Sequence, residues 1–183
     1  MKTSEVDLLI MPGWENSGPD HWQSRWERQL KTARRVEQAD WDRPIKDEWV
    51  ARLAVEVDAA TRPVVLIAHS LGVTAIAHAA GVMNADRIAG AFLVAAPDLD
   101  ALDIWPSREG GFAPVPLAPL PFPALLVASA DDPYCTSARS RAFTDAWGAT
   151  LIEAGPAGHI NSESGHGPWP EGLMQLGWFL KRL

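Results

Sequence analysis

Short apolar runs separated by longer segments of helical period constrain this chain more than any other feature. The runs are Val6 to Met11, Arg35 to Ala39, Pro63 to Ala68, Ile88 to Ala95, Ala124 to Ala130 and Thr150 to Ala154. Most are β-branched or leucine-rich and lack a polar face, as strands buried on both sides do. Between them, helical spacing predicts helices over 46–60, 71–83, 137–147 and 171–183. A further one is marked by Trp22, Trp26, Leu30 and Ala33, which fall at i, i+4, i+8 and i+11. Strands alternating with helices build a parallel sheet covered on two faces. The expected architecture is therefore a three-layer α/β/α sandwich with a mainly parallel sheet of about six strands, and 183 residues suit one such domain over 1–183.

One stretch breaks the alternation. From Asp98 to Pro123, Pro106, Pro114, Pro116, Pro119, Pro121 and Pro123 forbid a regular helix or ladder. This excursion reads as a long ordered loop over 98–123 whose Trp105 and Phe112 cover a cleft and serve as substrate-binding residues. At about 25 residues it is too short for a separate cap domain, so large lipids are poor ligands.

Composition narrows the partners. Sixteen basic residues against 23 acidic ones leave a formal charge of −7, which repels phosphate backbones and anionic membrane surfaces, so neither nucleic acid nor membrane is expected as a partner. A single cysteine, Cys135, forms no intrachain disulfide and asks for no oxidising compartment. The first apolar run is interrupted by Asp7 and is too short for a signal peptide or membrane span, so a soluble cytoplasmic protein is expected. Paired histidine or cysteine spacing is missing, as are a Gly-x-Gly-x-x-Gly turn and a P-loop, so no metal and no cofactor is expected.

The segment from Pro63 to Ala75 carries the chemistry. A buried strand runs into Ser70 and at once into a helix of small residues, with Ala68 and Gly72 two positions either side of the serine. In the Gly-x-Ser-x-Gly elbow, small flanking residues let the chain reverse sharply and expose the hydroxyl at a helix start. Alanine for the first glycine departs from that pattern but stays small. Serine is also a common N-cap; what favours a nucleophile is that an acid and a histidine follow in the chain order of this fold. Asp131 and Asp132 end the fifth run, and alternation lets one of them face the serine without saying which. His159 follows the last run at the same sheet edge, with His166 as competitor, whereas His69 is expected to point away from the serine. Gly13 and Trp14, after the first run, and Leu71, after the serine, lie where oxyanion donors are needed: Trp14 and Leu71 supply the N–H groups, and Gly13 and Trp14 border the substrate.

These features together resemble the small serine hydrolases related to retinoblastoma-binding protein nine, a YdeN-like, compact branch of the α/β-hydrolase superfamily. The resemblance covers nearly the whole chain. It lies in a Pro-Gly turn, the Ser17 to Glu27 run, the His69 to Gly72 elbow, the Asp-Asp-Pro at 131–133 and Gly158 to Asn161. It implies that Asp132, before the proline, is the acid and His159 the base, giving Ser70, Asp132 and His159 as the catalytic residues. It also implies a sheet in which the second and third strands flank the first. The expected function is hydrolysis of a small carboxylic ester, or amide, through an acyl-enzyme. The alternative is a catalytically weak scaffold that binds a protein partner through its tryptophans.

Overall fold

The computed structural model describes residues 1–183. Its regular elements are β1 (Asp7–Met11), α1 (Trp22–Gln29), β2 (Ala33–Arg35), α2 (Lys46–Asp58), β3 (Val64–His69), α3 (Leu71–Ala79), β4 (Ile88–Val94), β5 (Ala124–Ala128), α4 (Ser137–Trp147), β6 (Thr150–Glu153) and α5 (Pro170–Leu180). The six strands form one sheet in the order β2-β1-β3-β4-β5-β6, and every pairing is parallel. This is the α/β sandwich expected from the alternation, with β1 between β2 and β3.

Period-two alternation sorts the central strands into two cores. Leu9, Met11, Leu66, Ala68, Leu93 and Leu126 pack against α2, α3 and α4 through residues such as Trp49, Leu53, Ile76 and Phe143. Leu8, Ile10, Val65, Ile67, Phe92 and Val127 face the other way, onto Trp22 and Trp26 of α1 and Leu176 and Phe179 of α5. Helices α1, α2, α4 and α5 each bury one stripe, whereas α3 is buried on all sides but His78, and no helix is long and apolar enough to cross a membrane. Of the nine tryptophans, Trp178 alone is exposed, so aromatic surface is spent on packing rather than displayed.

The edges differ from the expectation. The second strand is Ala33–Arg35, not 35–39, and α1 stops at Gln29 with Leu30 as its C-cap. Leu30 and Ala33 do pack on the α1 core, which is why they mimic a continuing helical stripe. At the other edge, Thr150 and Glu153 of β6 are exposed, because a strand paired on one side only has less to bury against.

The excursion between β4 and β5 is pinned to the body. Lys46 N–H donates to Gly110 O at 2.8 Å and Trp147 Nε1–H to Pro116 O at 2.8 Å, while Val115 N–H donates to Asp100 Oδ1 at 3.0 Å within the excursion itself. Arg139 of α4 pairs with Asp98 and Asp100.

Candidate active site

A parallel sheet delivers the carboxyl ends of its strands to one edge, where the connections after β1, β3, β5 and β6 meet. Ser70, between β3 and α3, sits at φ +55° and ψ −126°, a strained conformation for a residue with a side chain. Two glycines make the turn possible. A Cβ on Gly72 would lie 2.3 Å from Met11 O and 2.6 Å from Pro12 O, and one on Gly13 would lie 2.8 Å from the Ser70 Cβ. The turn after β1 and the elbow are therefore in direct backbone contact. Ala68 is fully buried between β1 and β4, and its methyl fits the place of the usual glycine.

Ser70 Oγ lies 2.8 Å from His159 Nε2, and His159 Nδ1 lies 3.0 Å from both carboxylate oxygens of Asp132. The Asp132 side chain is 3% exposed and also accepts from Tyr134 N–H at 2.9 Å. With a carboxylate accepting at Nδ1, that nitrogen carries the proton and Nε2 is free to accept from the hydroxyl. A hydroxyl, imidazole and carboxylate in series can generate an oxygen nucleophile. Asp131 points elsewhere: its Oδ1 accepts from Ser129 Oγ–H at 2.7 Å and Gly158 N–H at 2.8 Å, and the Ser129 bond leads in holding its carboxyl below the usual range. His166 has Ser164 as its side-chain partner and does not reach this series.

Leu71 follows Ser70 in the chain and Trp14 follows Gly13, whose backbone touches Ser70, and both line the same cavity. Leu71 opens α3, so its N–H has no intrahelical acceptor. Trp14 is fixed by its Nε1–H, which donates to Asp42 O at 2.8 Å.

A cavity of about 480 Å³ opens over Ser70 and His159, and Gly13, Trp14 and Leu71 line it. Trp105 and Phe112, expected to cover the cleft, do not. Phe112 is fully buried in the core, its ring 5.7 Å from that of Trp49, and its carbonyl accepts from His78 Nε2–H at 2.8 Å. Trp105 lies under the Arg43 guanidinium, 4.1 Å from its ring centre. The wall comes instead from Leu99, Leu102, Ile104 and Pro106. Alternation cannot orient aromatic side chains in a proline-rich loop, so spacing carried no signal for this exchange.

Sequence reasoning also missed several polar contributors. Tyr134, two residues after Asp132, packs its ring edge-on against His159 with 4.6 Å between centres. His69 does not turn away: it lines the cavity, and its Nε2–H donates to His159 O at 2.8 Å. The rings of His21, His69 and His159 form a row with centres 4.8 and 4.9 Å apart. Burial, then the Arg35 and His159 charges, lowers the His21 pKa to about 4, and burial holds His69 well below the usual imidazole range. The Ser17 to Glu27 run is a polar clamp beneath the site. Gln23, fully buried, donates to Met11 O at 3.1 Å and Ile67 O at 3.3 Å and accepts from Ser17 Oγ–H at 2.7 Å. The lone thiol, Cys135, is no rival nucleophile, since burial raises its pKa to about 11. No three His, Cys, Asp or Glu side chains converge as metal ligands would.

Comparison with known proteins bears on the family and the fold. The serine hydrolase family model matches residues 8–178. Among solved structures, a YdeN-like hydrolase from Pectobacterium atrosepticum is 35% identical, with a TM-score of 0.85 over 97% of this chain and 91% of that one. The ydeN gene product of B. subtilis shares the fold at 19% identity, with a TM-score of 0.79 over 97% and 99% of the two chains. So does an esterase domain from Rhodothermus marinus, at 16% identity and TM-score 0.68 over 97% and 87%. No curated protein matches the chain. Fold, family match and the identity to a YdeN-like relative together make this chain a member of the serine hydrolase family, a YdeN-like α/β-hydrolase.

Proposed function

We propose that the chain hydrolyses small carboxylic esters, and more slowly the corresponding amides, with Ser70 as nucleophile, His159 as base and Asp132 as the carboxylate that orients it. The unbroken hydrogen-bonded series from Ser70 Oγ to Asp132, opening onto the cavity, is the observation that carries this reading. His159 Nε2 takes the hydroxyl proton as Oγ bonds to the substrate carbonyl carbon, and the oxyanion forms between the N–H groups of Trp14 and Leu71. Collapse breaks the bond to the leaving oxygen, which takes the proton from Nε2. Water then repeats the sequence on the acyl-enzyme: His159 accepts its proton, the hydroxide oxygen bonds to the acyl carbon, and Ser70 leaves reprotonated. No step calls on a cofactor. The lone buried cysteine and the acidic surface fit a cytoplasmic enzyme with no nucleic-acid partner.

Labelling with a fluorescent fluorophosphonate tests this. The wild-type chain should be labelled and Ser70→Ala should not; equal labelling of that variant would move the nucleophile elsewhere.

A further inference from the structure

We infer that the cavity has two chemically different sides, and that the preferred ester joins a short apolar acyl group to a polar alcohol that is neutral or cationic, never anionic. This rests on the ester-hydrolase reading above and specifies its substrate.

Ser70 ends β3, which has β1 on one side and β4 on the other. The connections on the two sides contribute different chemistry. From the β4 side come Pro97, Leu99, Leu102 and Ile104, and no charged side chain of that excursion lines the cavity. From the β1 side come Glu15, Asn16 and His21. The loop after His159 joins this polar side. Trp22, at the start of α1, donates Nε1–H to Ile160 O at 2.9 Å, which seats Asn161, Ser162 and Glu163 against the β1–α1 connection.

Charge is equally one-sided. Glu15 and Glu163 are both exposed, and no lysine or arginine lines the cavity. Arg35, which bonds to Asn16 Oδ1, is already paired with Glu27, and its side chain is 9% exposed. The polar side also holds an unpaired donor. His21 is 5% exposed, and its Nδ1 accepts from Gln23 N–H at 3.2 Å, so the proton sits on Nε2. That buried Nε2–H has no acceptor in the protein.

The chemistry assigns the sides. His159 Nε2 returns its proton to the leaving oxygen, so that oxygen departs beside His159 and its substituent runs along the Asn161–Glu163 loop. The acyl substituent sits on the opposite flank of the carbonyl carbon and enters the apolar β4 side. At several ångströms through water, each carboxylate changes the binding of a unit charge roughly threefold. Two carboxylates therefore separate a cationic from an anionic alcohol by tens of fold at low salt, less as salt rises.

The test holds the acyl group at butyrate and varies the alcohol among choline, glycerol, ethanol and glycolate, each rate normalised to alkaline hydrolysis. The expected order of kcat/KM is choline and glycerol esters above the ethyl ester, with the glycolate ester at least about tenfold below the glycerol ester. Glu15→Gln together with Glu163→Gln should compress the choline-to-glycolate ratio about tenfold or more. A glycolate ester cleaved as fast as the choline ester, or a ratio unchanged in the double variant, would overturn the inference. Fluorophosphonate labelling of Ser70 in the same preparations separates the two readings. Intact labelling without charge discrimination removes this inference alone, and absent labelling removes the ester-hydrolase reading along with it.

Discussion

His69 donates its Nε2–H to the main-chain carbonyl of His159, so the residue before Ser70 holds the loop whose imidazole bonds to Ser70. The bond needs a proton on Nε2, and burial keeps the ring neutral, so that proton is the only one it carries. Replacing His69 by Phe removes the donor while filling much of the space. Loss of one buried hydrogen bond and the resulting drift of the imidazole should lower kcat about tenfold with KM little changed. His69→Gln, which restores a donor, should recover most of it. Steady-state kinetics on variants with native circular dichroism decides; an unaffected kcat in His69→Phe would mean that the bond positions nothing.

The two adjacent aspartates should fail differently. Asp132→Asn puts an amide NH2 where a carboxylate oxygen accepted from His159 Nδ1, which favours the wrong tautomer, and in a working triad such a change approaches ~10⁴ in kcat. Asp131→Asn weakens the ties to Ser129 and Gly158, so it should lower Tm by a few degrees and kcat by less than about tenfold. If Asp131→Asn were the more damaging to kcat, the two would exchange roles.

The two close glycines separate function from folding. Gly13→Ala places a methyl 2.8 Å from Ser70 Cβ and 3.3 Å from its Oγ, so it should slow fluorophosphonate labelling at least tenfold. Gly72→Ala drives its methyl against two backbone carbonyls of the β1 turn and should cost about 3 kcal/mol or more of stability. Thermal melts and labelling rates on both variants check the contrast.

Buried neutral histidines make stability pH-dependent. His21 has a native pKa of about 4 against an ordinary 6.5, so between those values the unfolded chain binds a proton that the native chain refuses. Its contribution is whole above about pH 6.5, drains away as pH falls and is gone below about 4. By pH 5 the loss is about 2 kcal/mol. Burial shifts His69 and His78 in the same direction and adds to the slope. Urea unfolding at pH 7 and pH 5 should show a smaller drop for His21→Gln than for the parent chain, by about 2 kcal/mol; equal drops would mean that native His21 titrates normally.

Chain length should be limited by the wall at Leu99, Leu102, Ile104 and Pro106. A buried methylene is worth ~0.8 kcal/mol while room lasts, so kcat/KM for p-nitrophenyl esters should rise about fourfold per carbon from acetate to about butyrate and then fall. Leu102→Ala should move the optimum to a longer chain. A steady rise through decanoate in the parent chain would show that the wall sets no limit.

Much of this was legible from residues alone, for a physical reason. Val64 to His69 and Ile88 to Val94 are interior strands, and apolar runs announce burial on both faces. Because all strands are parallel, residues at their carboxyl ends share one edge, which brings Ser70, the Asp131–Asp132 pair and His159 together without tertiary data, while the choice of Asp132 over Asp131 came from the family resemblance alone. Edge strand β2 was displaced because Leu30 and Ala33 bury against the same core that α1 faces. His21 and Gln23 lie in a quoted motif, yet nothing in their spacing reveals that one lines the cavity while the other ties Met11 to Ile67. Side-chain direction in loops depends on partners distant in the chain.

The Pro-rich excursion sinks its large apolar anchors in its second half and turns its wall residues to the cavity from its first. Phe112, Val115 and Phe122 are sunk in the core, while Leu99, Leu102 and Ile104 face the cavity. Mutations in the first set endanger folding, whereas Leu102 and Ile104, only partly buried, are the wall positions that can change what the cavity admits at least cost to the core. Selectivity for the acyl group can thus drift by substitution within eight or so residues while the sheet, the elbow and the charge-bearing opposite side remain untouched. Closely related chains of this architecture can in this way diverge in diet without diverging in fold.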